Sequence, residues 1–289
     1  MKSIRVIPRL DIKGPNLVKG IHLEGLRVIG SPSQFALKYY EDGADELFFM
    51  DVVASLYERN SLHDIIRTTC KDIFIPITVG GGVRSVSDIR NILNSGADKV
   101  AINTAAVKRP EFIQEASREF GCSTIVGVIE AIKQPNGQHL IFTDNGREET
   151  GIDAVYWAKQ LEKLGAGEVI VTSVDRDGTG LGFDIELISK ITAAISLPVI
   201  AHGGSSNAEQ VKKLVETTDI DAVAIASALH YRELKTQQEL SKGDLTEGNR
   251  EFLKGNFQFK RIHGASIADF KHGINTIGYT TRKILEITE

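Results

Sequence analysis

Cysteine is nearly missing from this chain of 289 residues: there are two, Cys70 and Cys122, far apart and outside any Cys-x-x-Cys spacing. That argues against a disulfide framework and a zinc site, and for two reduced thiols. Long apolar runs are missing too. Nothing approaches the ~18 consecutive apolar residues of a membrane span. Met1–Lys13 mixes charged with apolar residues, unlike a secretory signal. A cytoplasmic chain without membrane contact is expected. There is no basic excess, since 34 Lys and Arg stand against 38 Asp and Glu, a net charge of −4. A broad nucleic-acid-binding surface is therefore not expected, whereas a local basic pocket for an anionic small molecule stays open. Neither a metal nor a cofactor is expected. What is present is ordinary for a globular protein: 42% hydrophobic and 25% charged residues, which excludes a disordered or collagenous chain.

Short runs rich in Val and Ile recur along the chain, at Arg5–Leu10, Glu46–Met50, Ile75–Val79, Lys99–Ile102, Thr124–Ile129, Glu168–Thr172, Pro198–Ala201 and Ala222–Ala226. Their near-continuous apolar character predicts strands covered on both faces, as in parallel sheets. Helical patterns lie between them. Ser33 is placed to cap a segment carrying Phe35, Ala36, Tyr39 and Tyr40. Ser87 opens one carrying Ile89, Ile92 and Leu93, and Ile152–Leu164 presents Val155, Ala158, Leu161 and Leu164 before Gly165. Eight strands alternating with helices predict an α/β fold of the (β/α)8 barrel type, with an open doubly wound sheet as the runner-up. We read residues 1–289 as one barrel domain. A polar insertion is placed near 234–260, and a last helical segment starts at Ser266.

An internal repeat supports the barrel. The residues at which strands end or turn in the first half are Asp11, Asp51, Gly81 and Asn103, with steps of 40, 30 and 22 residues. In the second half Glu130, Ser173, Gly203 and Ser227 follow with steps of 43, 30 and 24. Local sequence agrees: Gly43-Ala44-Asp45-Glu46-Leu47 is similar to Gly165-Ala166-Gly167-Glu168-Val169. Two half-barrels closing on each other should present two similar half-sites to one ligand.

The C-terminal ends of barrel strands are where chemistry is expected. There the repeat places Asp11 after strand one and Glu130 after strand five, on opposite sides of the mouth. Two carboxyls divide general acid and general base work when their surroundings separate their proton affinities. Gly80-Gly81-Gly82 ends strand three and Gly203-Gly204 ends strand seven, turns in which backbone amides approach an anion closely. Asn103-Thr104 and Ser227-Ala228 follow one strand later in each half. Two such cradles predict a ligand with a phosphate at each end. Asp177 is a candidate for holding a substrate hydroxyl or a turn acid. Lys19, in the loop after strand one, is either a mobile lysine that closes over phosphate or a solvated one. At the other end of the barrel, Arg5, Glu46, Lys99 and Glu168 start strands one, two, four and six. Strand parity turns Arg5 and Lys99 to the face of Asp11 and Asn103. Two cations and two anions would neutralise each other there, as a structural plug or as a gate to an axial channel.

These motifs resemble the cyclase subunit of imidazole glycerol phosphate synthase over roughly residues 1–233. The runs that carry the resemblance are Arg9-Leu10-Asp11-Ile12-Lys13, Leu17-Val18-Lys19-Gly20, Thr78-Val79-Gly80-Gly81-Gly82, the segment Gly96 to Ala106, and Thr172-Ser173-Val174-Asp175-Arg176-Asp177-Gly178-Thr179. The resemblance implies a partner glutaminase on the N-terminal face of the barrel. It also implies that Arg5, Glu46, Lys99 and Glu168 gate ammonia. Ammonia then reaches a bisphosphorylated substrate, a phosphoribulosyl formimino aminoimidazole carboxamide ribotide. The products are imidazole glycerol phosphate and an aminoimidazole carboxamide ribotide. Asp11 matches the family's first acid/base. Glu130 stands where the family usually has aspartate, Arg9 where it has a small cysteine, and His202 where it has a small residue. These departures and the 234–260 insertion keep an alternative open, a paralogue that uses ammonia for amidino modification of a surface-glycan sugar. A third reading, a non-catalytic barrel that only activates a glutaminase, fits poorly with intact Asp11 and intact glycine turns.

Overall fold

The computed structural model describes residues 2–54, 62–236 and 261–283. Eight parallel strands close into a barrel: β1 (Arg5–Lys13), β4 (Leu47–Asp51), β5 (Ile77–Gly80), β6 (Lys99–Ile102), β7 (Ile125–Lys133), β10 (Glu168–Ser173), β11 (Val199–His202) and β12 (Ala222–Ile225). Each pairs in parallel with its neighbours, β12 with β1 and β7 with β10, so no barrel strand is left with a free edge. The fold is a TIM barrel, as the Val- and Ile-rich runs predict. All eight lie within a few residues of those runs.

Strand alternation divides the apolar residues into two cores. One face points outward and packs against the helices, with Val6, Phe49, Val79, Val100, Val169 and Val223 among its members. The other fills the bore with Ile7, Phe48, Val126, Val128, Ile170 and Ile200. Each such side chain, fully buried, contributes roughly 1.5–3 kcal/mol through removal from water.

Two helices start two residues earlier than their apolar stripes suggest. Ser31, not Ser33, precedes the helix Pro32–Glu41, because proline fits the first turn, where no backbone donor is needed. Ser85, not Ser87, caps Val86–Asn94. Its hydroxyl accepts from Asp88 N while the Asp88 carboxylate accepts from Ser85 N. The helix Ala154–Leu164 is capped by Asp153 and stopped by Gly165 at φ 95°.

The largest departure from the sequence reading is a pair of hairpins. The segment after β1, expected as a long loop, folds back as β2 (Asn16–Ile21) and β3 (Glu24–Gly30). After β7 the chain does the same with β8 (His139–Thr143) and β9 (Glu148–Asp153). The two are counterparts: Asp11 pairs with Val18 of β2, and Glu130 pairs with Phe142 of β8. Their tips meet, where Asn145 Nδ2 donates to Leu23 O at 3.0 Å.

Of the insertion placed at 234–260, Leu234–Thr236 continue the helix Ser227–Thr236, and 237–260 lie outside the described residues. Ser266 caps the helix Ile267–Thr276. The chain then returns to the start of the barrel: Ile4 N donates to Thr280 O, Lys271 Nζ reaches Asp45 at 2.6 Å, and Arg282 Nη2 donates to Ala44 O. No helix among the described residues is long and apolar enough to cross a membrane.

Candidate functional site

β1 and β7 stand opposite each other in the barrel, and each carries an inward carboxyl one residue before its last parallel pair, Ile12–Asp51 and Ala131–Ser173. Asp11 and Glu130 are both buried at the mouth. Their surroundings differ. Asp11 Oδ1 accepts from Arg9 Nε at 2.9 Å, and Oδ2 lies 3.4 Å from Lys19 Nζ. Burial opposes its charge, but the Arg9 guanidinium and the Lys19 ammonium overcome that and hold the carboxyl below the usual range. Among the described residues Glu130 has neutral donors only: Asn103 Nδ2 at 3.1 Å and Gly146 N at 3.0 Å, both to Oε2. Burial pushes its acid up to about 7, against the pull of Arg9 and the Gly146 amide. One carboxyl is therefore held in its charged form while burial pushes the other toward its acid form. That is the separation acid–base division requires.

Beside Glu130 an open cavity of about 560 Å³ is lined by Gly81, Gly82, Asn103, Thr104, Lys108 and Arg109, among others. This is the first of the two expected cradles. Gly81 (φ 101°) lets the chain turn where a Cβ would lie 2.3 Å from Asp51 O. Thr104 Oγ1 accepts from Asp144 N. Lys108, Arg109 and Gly146 are additions to the sequence reading. The two cations follow Asn103-Thr104 within seven residues, a signal readable in the sequence. The role of Gly146 depends on the hairpin, which was not foreseen.

The second cradle has the same backbone but little space. Gly203 (φ 99°) stands against Ser173 O as Gly81 stands against Asp51 O. The hollow lined by Asp177, His202, Gly203, Gly204 and Ser227 holds only about 10 Å³. Ala228 does not line it; its side chain is buried in the core and its carbonyl accepts from Ala265 N. Lys19 is not a solvated loop lysine. It lies in β2, 1% exposed, with Nζ 2.8 and 3.0 Å from the two Asp177 oxygens. A long cation next to two buried carboxylates is drawn in to neutralise them. Asp177 thereby has Lys19 as its partner rather than a free carboxylate for a hydroxyl.

At the opposite end the four charges do meet. Arg5 Nη1 donates to Glu46 at 2.6 Å and Nη2 to Glu168, while Lys99 Nζ lies 3.2 Å from Glu46 and 3.1 Å from Glu168. Glu46 directly precedes β4 rather than starting it. The four alternate in sign around the bottom of the bore.

Comparisons with known proteins agree with this architecture. Residues 5–235 match the model of the histidine biosynthesis protein family. A curated relative from Legionella pneumophila, imidazole glycerol phosphate synthase subunit HisF, is 56% identical over 210 residues, 73% of this chain and 99% of the relative. The HisF subunits of Lactococcus lactis subsp. cremoris strains MG1363 and SK11 are each 44% identical over 246 residues, covering 84% of this chain and 95% of theirs. With its barrel, its opposed carboxyls and these relatives, the chain belongs to the histidine biosynthesis protein family, among the HisF subunits of imidazole glycerol phosphate synthase.

Proposed function

We infer that this chain is the ammonia-using cyclase of histidine biosynthesis. In this reading it converts the phosphoribulosyl formimino ribotide to imidazole glycerol phosphate and the aminoimidazole carboxamide ribotide. The observation that carries the reading is the unequal carboxyl pair at the mouth, Asp11 held charged and Glu130 at about 7, beside a cavity bordered by Lys108 and Arg109. Addition of ammonia to a carbonyl carbon forms a C–N bond. It requires one proton to leave nitrogen and one to reach oxygen. Asp11, ionised, takes the first; Glu130, protonated, supplies the second. A further proton lets that oxygen leave as water, giving an imine whose nitrogen attacks the formimino carbon; the aminoimidazole nitrogen then departs as an amine, taking up the protons that the imine nitrogen and the ring CH2 give up, with the pair as relay.

In this reading the substrate's two phosphates take one cradle each. One phosphate sits against Gly81, Gly82, Asn103 and Thr104, with Lys108 and Arg109 at the rim. The other is placed at Gly203, Gly204 and Ser227, a turn that must widen beyond its about 10 Å³ to admit it and has the Arg176 side chain against Gly204. Ammonia comes from a glutaminase docked on the N-terminal face. The ring of Arg5, Glu46, Lys99 and Glu168 is its gate, and the apolar bore is its path, since a neutral molecule crosses such a lining without the cost of a buried charge. The test is turnover of the ribotide with ammonium salt and this chain alone, followed by the rise of imidazole glycerol phosphate. Absence of product at saturating ammonium, with the ribotide bound, would overturn the reading.

A further inference from the structure

Arg9 and His202 are two residues at which the sequence leaves the pattern it otherwise resembles, and the structure brings them together. Arg9 is fully buried. Its Nε donates to Asp11, and its Nη1 lies 3.2 Å from both Thr172 Oγ1 and His202 Nδ1. Accepting from a guanidinium leaves His202 its proton on Nε2, which faces Asp177 Oδ1 at 3.8 Å. Asp177 accepts from Lys19, and Lys19 reaches back to Asp11. The five side chains form a closed circuit: Asp11, Arg9, His202, Asp177, Lys19. It is also fixed from behind. His230 Nε2 donates to the Arg9 carbonyl at 3.0 Å, and its Nδ1 accepts from Tyr39 OH at 2.6 Å. Both histidines are kept neutral, by burial first and then by nearby cations, Arg9 and Lys19 for His202 and Lys19 for His230.

Building the barrel does not demand these residues. Two positions before Glu130, the counterpart of Arg9 is Val128; one position before Gly81, the counterpart of His202 is Gly80. The first half closes the same strands and the same glycine turn with those two. Arg9 Nη2 is moreover buried without a hydrogen-bond partner among the described residues. A guanidinium present only for stability would pair its donors.

We propose that Arg9 and His202 are positioning residues of the acid–base pair: with Asp11, Asp177 and Lys19 they close a buried ring that seats the Asp11 carboxylate at the mouth and leaves Glu130 outside it, so that the two carboxyls take different parts in proton transfer. The charges in the ring explain the division. Arg9 and Lys19 pair with Asp11 and Asp177, and among the described residues no cation hydrogen-bonds Glu130, which feels Arg9 only at a distance. The proposal rests on the functional reading above for its catalytic meaning, though the ring itself can be tested without turnover.

The experiment is a carboxyl ¹³C NMR titration of the purified chain labelled at Asp and Glu, with the Asp11 and Glu130 signals assigned from Asp11→Asn and Glu130→Gln. In the parent, Asp11 titrates below the ordinary range and Glu130 near 7. In Arg9→Met, which keeps the length and loses the charge, Asp11 should move up by about one pH unit or more. Arg9→Lys should restore part of the shift. His202→Leu, which removes the acceptor but not the guanidinium, should move Asp11 in the same direction by less. It also carries the test if Arg9→Met fails to fold, as judged by melting. With ammonium as nitrogen source, kcat of Arg9→Met should fall about 10-fold or more with KM within about twofold, and its acid limb should follow Asp11 upward. A folded Arg9→Met whose Asp11 titrates as in the parent overturns the proposal. So does a folded His202→Leu with no shift where Arg9→Met is not available. A parent without turnover but with these titration shifts overturns the functional reading alone.

Discussion

The two half-barrels of this protein share a backbone and differ in what fills it. Asp11 and Glu130, Gly81 and Gly203, and the β2–β3 and β8–β9 hairpins all correspond. Yet the first cradle opens into about 560 Å³ and the second into about 10 Å³. A few side chains account for the difference. Behind the first glycine turn Gly80 has the Met50 and Ala101 side chains against it, where His202 itself lines the second. Lys19 on β2 crosses to Asp177, while its counterpart on β8 is Thr143. Duplication thus supplies two equivalent frames, and substitution within them makes one half an open receptor and the other a packed, charged one.

Asp11→Asn should break the comparison most severely. It removes the carboxyl of the pair that is held charged at neutral pH, and turnover with ammonium should fall by about 10³-fold, within the range for loss of a general base. Glu130→Gln should cost less, about 10²-fold, because Asn103 and Gly146 still hydrogen-bond the amide oxygen. Assays of both at saturating ammonium rank the two halves; equal losses would contradict the division of roles.

Gly81→Ala and Gly203→Ala test whether the frames are equivalent in energy. Both glycines have φ near +100°, and in both an added Cβ meets a carbonyl oxygen at 2.3 or 2.6 Å. Each substitution should cost about 2–4 kcal/mol in denaturant unfolding, by left-handed strain plus a clash with backbone that cannot yield. A cost in one half only would show that the correspondence is geometric and not energetic.

A smaller effect concerns pH. The folded state holds the Glu130 proton to about 7, whereas the unfolded chain loses it near the ordinary glutamate value. Between those values the folded state binds more protons, so Glu130 makes stability fall as pH rises through 7. The cost at pH 8 is about 3 kcal/mol. Glu130→Gln should remove it, flattening the fall between pH 5 and 8. His230, depressed to about 3 by burial, acts with the opposite sign. Its contribution is present above the unfolded histidine value and is lost as pH falls toward 3. Unfolding curves of both proteins at several pH values separate the two.

The smallest expected effect is on anion binding. Inorganic phosphate should occupy the first cradle of the parent and leave the second empty at the same concentration. Asp177→Asn weakens the hold on Lys19 and should tighten phosphate at the second cradle by about tenfold, roughly 1.4 kcal/mol. Crystals soaked in phosphate would show it, and an ion in both cradles of the parent would contradict the asymmetry.

The barrel strands were legible because burial on both faces demands continuous Val and Ile, and little else in the chain has that pattern. Asp11, Glu130 and the glycine turns were legible from the repeat. The hairpins were not: their pairing is local, with Gly14-Pro15 and His22-Leu23 as the turns of the first, but polar residues and glycine interrupt the apolar pattern of β2, β3 and β9. The burial of Lys19 follows from that pairing, so it stayed hidden as well. Arg9 and His202 stood out as departures, but neither spacing nor parity says that residues 193 positions apart share a hydrogen bond.

The contact between Asn145 and Leu23 makes an arch of the two hairpins. One springer carries Lys19, which neighbours Asp11; the other carries Gly146, which holds Glu130. Both crowns are built from left-handed residues, His22 and Leu23 on one side, Asp144 and Asn145 on the other. Such residues keep their shape only while their surroundings impose it. Each hairpin is therefore the other's scaffolding. The two proton-handling carboxyls, far apart along the chain, thus lie beneath supports that touch each other.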